Sequence, residues 1–147
     1  MKTVVFDIDG TLAIMDHRRE KLQSGGRKNW DAFFKAMDED QLNTPIKELY
    51  DLFLDSQKYK IVIVSGRPER YKKITESWLE NNKIYYECLY MRKDGDRRND
   101  SEVKQDILTH LTRDGYKIIF AIDDRDSVVD MWRQNGITCL QCARGDF

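Results

Sequence analysis

The sequence predicts an α/β fold, a doubly wound (Rossmann-like) parallel sheet of about five strands with a small cap insertion. Three observations carry this. Short β-branched apolar runs each end in small or charged residues. Segments with apolar residues at helical spacing lie between those runs. The length, 147 residues, suits one domain and leaves little room for a second folding unit.

The first run, Val4-Val5-Phe6, leads into Asp7-Ile8-Asp9-Gly10-Thr11. The second, Ile61-Val62-Ile63-Val64, leads into Ser65-Gly66-Arg67. The third, Ile118 to Ile122, leads into Asp123-Asp124-Arg125. Unbroken β-branched runs of this length are the signature of strands buried on both faces. A less apolar fourth strand is expected at Glu87 to Met91, and a fifth at Ile137 to Gln141 after the helix-stop Asn135-Gly136. Between them, Pro45 opens a helix with Ile46, Leu49, Leu52 and Phe53 on one side. Pro68 opens the next, to about Glu80, carrying Tyr71, Ile74, Trp78 and Leu79. Asp100 or Ser101 caps a third through about Leu111. Asp126 or Ser127 starts a last one with Val128, Val129 and Trp132. Strand and helix alternate, which places helices on both faces of a parallel sheet.

Residues 13 to 44 break the alternation. They hold Arg18, Arg19 and Lys21, a flexible Ser24-Gly25-Gly26, and a helix-like Trp30 to Met37. The expected organisation is one domain, 1–147, with a small cap insertion at about 13–44. Trp30, Phe33 and Phe34 fall at i, i+3 and i+4, a spacing that suits a buried helix face better than a base-stacking platform.

Hydrophobic residues make up 40% and charged residues 35% of the chain, the balance of a soluble globular protein. Lys plus Arg number 25 and Asp plus Glu 26, for a net charge of -1. That excludes bulk electrostatic coating of nucleic acid, while a local basic site remains compatible. The N-terminal apolar run is too short for a signal peptide or a membrane span. Cys88, Cys139 and Cys142 are an odd number, which disfavours a disulfide framework and makes a cytoplasmic location the expectation. Cys139 and Cys142 form a lone C-x-x-C, weak as a zinc site; on a strand their sulfurs point to opposite faces.

In open parallel sheets, ligands bind at the carboxyl ends of the strands, near the point where strand order reverses. All three charged clusters fall at such ends. Two carboxylates as close as Asp7 and Asp9 repel each other when both are ionised, so one tends to keep a proton. That division suits phosphoryl transfer, with Asp7 attacking phosphorus and Asp9 protonating the leaving oxygen. Gly10 lets the backbone turn sharply toward a phosphate, with Thr11 beside it. The surplus negative charge calls for Mg²⁺, held by Asp7 and one of Asp123 and Asp124. Ser65, Gly66 and Arg67 can hold the transferring group through a hydroxyl, exposed N–H groups and a guanidinium. By pattern alone, Lys104 reads as a solvated surface lysine and Arg18 as a basic residue of the cap.

Together these residues resemble the haloacid dehalogenase superfamily of phosphatases. Its pattern is a strand ending in Asp-x-Asp-Gly-Thr, a strand ending in Ser or Thr, a Lys, and a strand ending in an acidic pair. Asp7, Asp9, Ser65, Lys104, Asp123 and Asp124 fill those places in order. The resemblance implies a central first strand, and a metal ligated by the backbone carbonyl of Asp9 rather than its side chain. A narrower likeness, to the 3'-phosphatase domain of phage and bacterial polynucleotide kinase/phosphatases, rests on Phe6 to Ala13, Ile63 to Arg67, Gly95-Asp96-x-Arg98-x-Asp100, Val103-Lys104, Ala121 to Arg125, Val128 to Arg133 and Gly145-Asp146-Phe147. It implies that Arg18, Arg67 and Asp100 are needed for activity and lifts Lys104 to a catalytic and substrate-binding residue. The P-loop of the fused kinase, G-x-x-x-x-G-K-[ST], does not occur in this sequence.

The leading expectation is therefore a Mg²⁺-dependent phosphatase for 3'-phosphorylated DNA or RNA ends in nucleic acid repair, with a separate kinase or ligase as partner and no membrane. Local basic residues, Arg18, Arg19, Lys72, Lys73, Arg97 and Arg98, would meet flanking phosphates. The alternatives are a phosphatase for nucleotides or other small phosphate esters, and a non-catalytic end-binding or kinase-partner module. The intact Asp7/Asp9 pair speaks against the last.

Overall fold

The computed structural model describes residues 2–16, 32 and 36–147. In chain order its elements are strands β1 (Lys2–Phe6), β2 (Ala13–Ile14) and β3 (Gln41–Leu42), helix α1 (Thr44–Ser56), β4 (Lys60–Pro68), α2 (Lys72–Asn81), β5 (Cys88–Arg92), α3 (Asp100–Arg113), β6 (Lys117–Asp123), α4 (Asp126–Gln134) and β7 (Thr138–Gln141). Five strands form one sheet in the order β5-β4-β1-β6-β7, and every pairing in it is parallel. The chain runs outward from β1 through β4 to β5, then crosses back to β6 and β7. Strand order thus reverses at β1, which opens the crevice at its carboxyl end.

The period-two geometry of the strands divides the core in two. Val5, Val62 and Val64 face one way, against Val103, Ile107, Leu108 and Leu111 of α3 and Val128, Val129 and Trp132 of α4. Val4, Phe6, Ile61 and Ile63 face the other, against Tyr50 of α1 and Trp78 and Leu79 of α2. Both faces of β1 and β4 are therefore covered, as their unbroken apolar runs require. Each such Val or Ile contributes roughly 1.5–3 kcal/mol through burial. The two C-x-x-C cysteines part as expected. Cys139 packs in the first cluster and Cys142 against the second, and both are free thiols.

Several boundaries differ from expectation. β4 continues through Ser65, Gly66 and Arg67 to Pro68, which pairs with Arg92 across a register shift. Pro68 therefore closes a strand instead of opening a helix, and a 3₁₀ turn, Glu69–Tyr71, precedes α2. On α1, Leu52 is 69% exposed while Tyr50 is fully buried, its hydroxyl donating to the Tyr85 carbonyl at 2.6 Å. That hydrogen bond lets a polar aromatic take a core place that spacing assigns to leucine. The N-cap of α3 is Asn99, neither Asp100 nor Ser101; Asp100 opens the helix itself.

β2 and β3 pair antiparallel, Ala13 with Leu42 and Ile14 with Gln41, which joins the two ends of the expected insertion. A 3₁₀ turn, Met37–Glu39, begins where the spacing predicts the end of a helix. Arg18, Arg19, Lys21, Ser24, Gly25, Gly26, Trp30, Phe33 and Phe34 lie outside the described residues. Among the described residues, no helix is long and apolar enough to cross a membrane.

Candidate active site

Asp7 follows the last residue of β1, and its N–H still donates to the Ile122 carbonyl of β6 at 3.1 Å. The sheet ladder thus sets its place at the switch point. The chain then folds back sharply, with Thr11 and Ala13 N–H both donating to the Ile8 carbonyl. Gly10 adopts φ +83°, and a Cβ there would collide with the Asp124 carboxylate. The glycine is needed both for a left-handed backbone and for the approach of Asp124. The turn also brings the Thr11 hydroxyl back to Asp7 Oδ2 at 3.0 Å.

Lys104, one turn into α3, is 2% exposed. Its Nζ donates to Asp7 Oδ1 at 2.8 Å and to Asp123 Oδ2 at 2.9 Å. Burial works against its charge, but Asp123 and Asp7 outweigh it and push the lysine pKa upward. Asp123 also accepts from Trp132 Nε1 and from the N–H groups of Asp124 and Arg125. Asp124 has its carboxylate against Asp7 and Gly10. Burial, and then the Asp123 charge, push the Asp7 carboxyl well above the usual range. The same two causes lift Asp124 to about 6.

Ligand oxygens of Asp7, Asp123 and Asp124 lie within 4.8 Å of one another. With all three ionised, these buried carboxylates beside one ammonium leave an excess of two negative charges. Oxygen donors and that excess fit a hard divalent cation. The side chain of Asp9 is not in this group. It turns to Arg67, whose Nε and Nη2 grip its two oxygens at 3.0 and 2.6 Å.

The strand-end position of Arg67 predicts a grip on the transferring phosphoryl group; in the structure its guanidinium meets protein partners. Arg67 is 1% exposed, and its guanidinium is spent on Asp9, on Thr75 Oγ1 at 3.0 Å and on Asp40 Oδ2 at 3.3 Å. Ser65, also buried, accepts the Arg67 N–H on its Oγ at 3.1 Å. A Cβ on Gly66 would stand 2.6 Å from the Asp100 carboxylate, so the glycine admits Asp100. Asp100 in turn accepts from Arg92 and, at 2.8 Å, from Arg125. Arg92 Nε closes the loop on the Gly66 carbonyl at 2.8 Å. Gly145 and Phe147 complete the frame. Arg125 donates to the Phe147 carbonyl and lies over its ring, and Gly145 packs on the Asp124 backbone too closely for any Cβ.

Asp7, Asp9, Gly10, Thr11, Ser65, Gly66, Arg67, Asp100, Lys104, Asp123 and Asp124 thus converge at one edge of the sheet, while Arg18 lies outside the described residues. Asp40, Thr75, Arg92 and Trp132 join this network without having been expected there from sequence. Arg92 alone carries a usable signal, a charged residue closing a strand.

Fold and site together are those of the haloacid dehalogenase class of phosphatases. The class C acid phosphatase of Bacillus anthracis, solved with tungstate bound, shares the fold at a TM-score of 0.67 and 15% identity, over 99% of this chain and 68% of that one. Within the class, the chain belongs to the family described as the polynucleotide kinase PNKP phosphatase domain, whose sequence profile matches residues 1–147. It is similar to a chain of the Pnkp1/Rnl/Hen1 RNA repair complex, with 34% identity and a TM-score of 0.84 over 99% of this chain and 43% of that one. It is also 25% identical over 136 residues to an Autographa californica nuclear polyhedrosis virus protein designated a putative bifunctional polynucleotide kinase/RNA ligase, covering 90% of this chain and 18% of the relative. The chain spans less than half the length of either nucleic-acid relative.

Proposed function

We propose that this chain is a Mg²⁺-dependent phosphatase for 3'-phosphorylated polynucleotide ends, working through an aspartyl-phosphate on Asp7. The observation that carries it is the separation of two neighbouring carboxylates. Asp7 is buried and held by Thr11 and Lys104, while Asp9 is part-exposed and gripped by Arg67. Environments that differ this much support different work for the two, and Mg²⁺ when bound would hold Asp7 ionised against the burial that otherwise favours its protonated form.

Thr11 and Lys104 orient the Asp7 carboxylate toward the crevice, and Lys104 offsets charge as the reaction proceeds. A bond forms between an Asp7 oxygen and phosphorus as the bond from phosphorus to O3' breaks, and the proton on Asp9 passes to O3'. Water then attacks the phosphoryl group, gives its proton to Asp9, and Asp7 leaves as carboxylate. Asp7, the Asp9 carbonyl and Asp124 would hold Mg²⁺, which when bound supplies neutralisation of the phosphate charge. Asp124 suits this better than Asp123, whose oxygens already serve Lys104, Trp132 and two backbone N–H groups. Gly66 and the Asp100–Arg92–Arg125 frame shape the phosphate side of the crevice.

The unit is read as one domain, 1–147, with a cap inserted at about 13–44 that contributes Arg18. A polynucleotide substrate is supported by the corner beyond β4 and β5. There the Asp94 side chain takes the Arg70 N–H and ties the two loops together. Lys72, Lys73, Lys93 and Arg97 are exposed on that corner, with the acids Glu69 and Glu76 exposed near them. The kinase and ligase named for the relatives make such a partner, on the same chain or another, the natural companion activity.

Phosphate release with Mg²⁺ tests the reading, comparing a 3'-phosphorylated oligonucleotide, its 5'-phosphorylated isomer and a 3'-mononucleotide. The 3'-oligonucleotide is expected to be preferred; equal rates on all three would sink the polynucleotide assignment. Asp7→Asn should abolish turnover in a folded protein, and retained turnover would refute the covalent scheme.

A further inference from the structure

We propose that Asp40 is a positioning residue for the acid/base carboxylate Asp9, acting through Arg67 and wiring the return segment of the insertion to the chemistry. The inference rests on the acid/base role proposed for Asp9.

The Arg67 guanidinium is fully enclosed and held on each of its edges. Nε and Nη2 form a parallel fork with the two Asp9 oxygens, at 3.0 and 2.6 Å. Nη1 donates to Thr75 Oγ1 on α2, and Thr75 donates onward to the Tyr71 carbonyl at 2.8 Å. Nη2 also meets Asp40 Oδ2 at 3.3 Å, and the Asp40 carboxylate is itself fully enclosed. Asp40 sits between the 3₁₀ turn Met37–Glu39 and β3, so it belongs to the segment by which the insertion returns to the sheet. Its backbone is anchored at two points. The carbonyl accepts Trp78 Nε1 at 2.9 Å, and the N–H donates to the Met37 carbonyl at 3.2 Å.

A guanidinium is planar, and a forked carboxylate lies in its plane. Whatever fixes the plane of Arg67 therefore fixes the direction of the Asp9 oxygens. Asp9 keeps 22% of its side chain open to the crevice, whereas Arg67 and Asp40 have none. The leaving oxygen can meet Asp9 alone, and Asp40 acts at one remove. Without Asp40, the guanidinium loses its insertion-side partner and can tilt, carrying Asp9 with it. A displacement on the order of 1 Å at a proton donor costs up to about 10²-fold in rate.

Leaving-group dependence separates this role from general support of the fold. An alkyl phosphate ester needs a proton on its departing oxygen, whereas p-nitrophenyl phosphate leaves as a stable anion. A 3'-mononucleotide serves as the alkyl ester as well as a 3'-phosphorylated oligonucleotide, so the outcome is independent of polynucleotide preference. In kcat/KM, Asp9→Asn is expected to lose roughly 10²-fold or more on the alkyl ester and little on p-nitrophenyl phosphate. Asp40→Asn should show the same selectivity at about tenfold, keep its Mg²⁺-dependent gain in melting temperature, and be partly rescued in Asp40→Glu. If Asp40→Asn does not fold, Trp78→Phe removes the N–H that anchors the Asp40 carbonyl and should show the selectivity more weakly. Equal loss on both esters, or no loss, in the Asp40 or Trp78 variant while Asp9→Asn stays selective overturns the proposal alone. An unselective Asp9→Asn overturns the acid/base reading and this proposal with it.

Discussion

Lys104 Nζ lies 2.8 Å from Asp7 Oδ1, across 97 residues of sequence, and both side chains are almost wholly enclosed. The same ammonium holds Asp123 at 2.9 Å. Removing it strands buried carboxylates without a counter-charge. Lys104→Met is expected to lose roughly 3–5 kcal/mol of stability, the usual cost of breaking a buried pair. Chemical denaturation reads the loss, and added Mg²⁺ should recover part of it. Turnover should fall to background even where the variant is folded.

Stability should depend on pH in a direction set by Asp7 and Asp124. Both bind their protons more tightly in the folded chain than in the unfolded one, so stability is fully present below about pH 4 and declines as pH rises through about 6. For Asp124 the rise to about 6 corresponds to roughly 3 kcal/mol at most. The melting temperature of metal-free protein is therefore expected to drop between about pH 4.5 and about pH 7.5, and Mg²⁺ to restore it more at the higher pH. A metal effect equal at both pH values would contradict the assignment.

Gly10→Ala places a methyl group where the Asp124 carboxylate stands, on a backbone at φ +83°. The strained conformation alone costs about 1–3 kcal/mol. The displaced carboxylate should also abolish the Mg²⁺-dependent thermal shift. A variant that melts lower but keeps that shift would show that Asp124 is not a ligand.

The exposed cations Lys72, Lys73 and Arg97 should read out in salt dependence. Replacing all three with alanine is expected to lower the ratio of kcat/KM on a 3'-phosphorylated oligonucleotide to that on a 3'-mononucleotide by about tenfold at low salt. The slope of log affinity against log salt should become shallower by about 0.7 for each phosphate no longer neutralised. An unchanged ratio and slope would place the polynucleotide elsewhere.

Much of the fold is legible in the sequence because buried parallel strands and amphipathic helices leave local patterns. All five strands of the main sheet lie near where those patterns predict them, and Asp7, Asp9, Asp123 and Asp124 stand out at strand ends. The misses have local causes too. Pro68 reads as the start of a helix but ends β4, because a proline can close a strand where its missing N–H is not needed. Leu52 looks like core and is solvent-facing, because Tyr50 finds a carbonyl for its hydroxyl. The ribbon of β2 and β3 is too short to leave any periodicity.

Local sequence suffices for the sheet, the charged residues at its carboxyl ends and the Asp-x-Asp pair, since each depends on residues within a few positions of one another. It does not suffice for Lys104, which by pattern is a surface lysine, nor for Asp40, which by pattern is one acid among several. Their roles come from tertiary structure. A buried charge is stable only beside its opposite, and the partners of Lys104 and Arg67 arrive from distant strands and from the segment just before β3. Whether a charge stays in water or is locked into a site is settled by what the fold packs around it, and no local pattern records that.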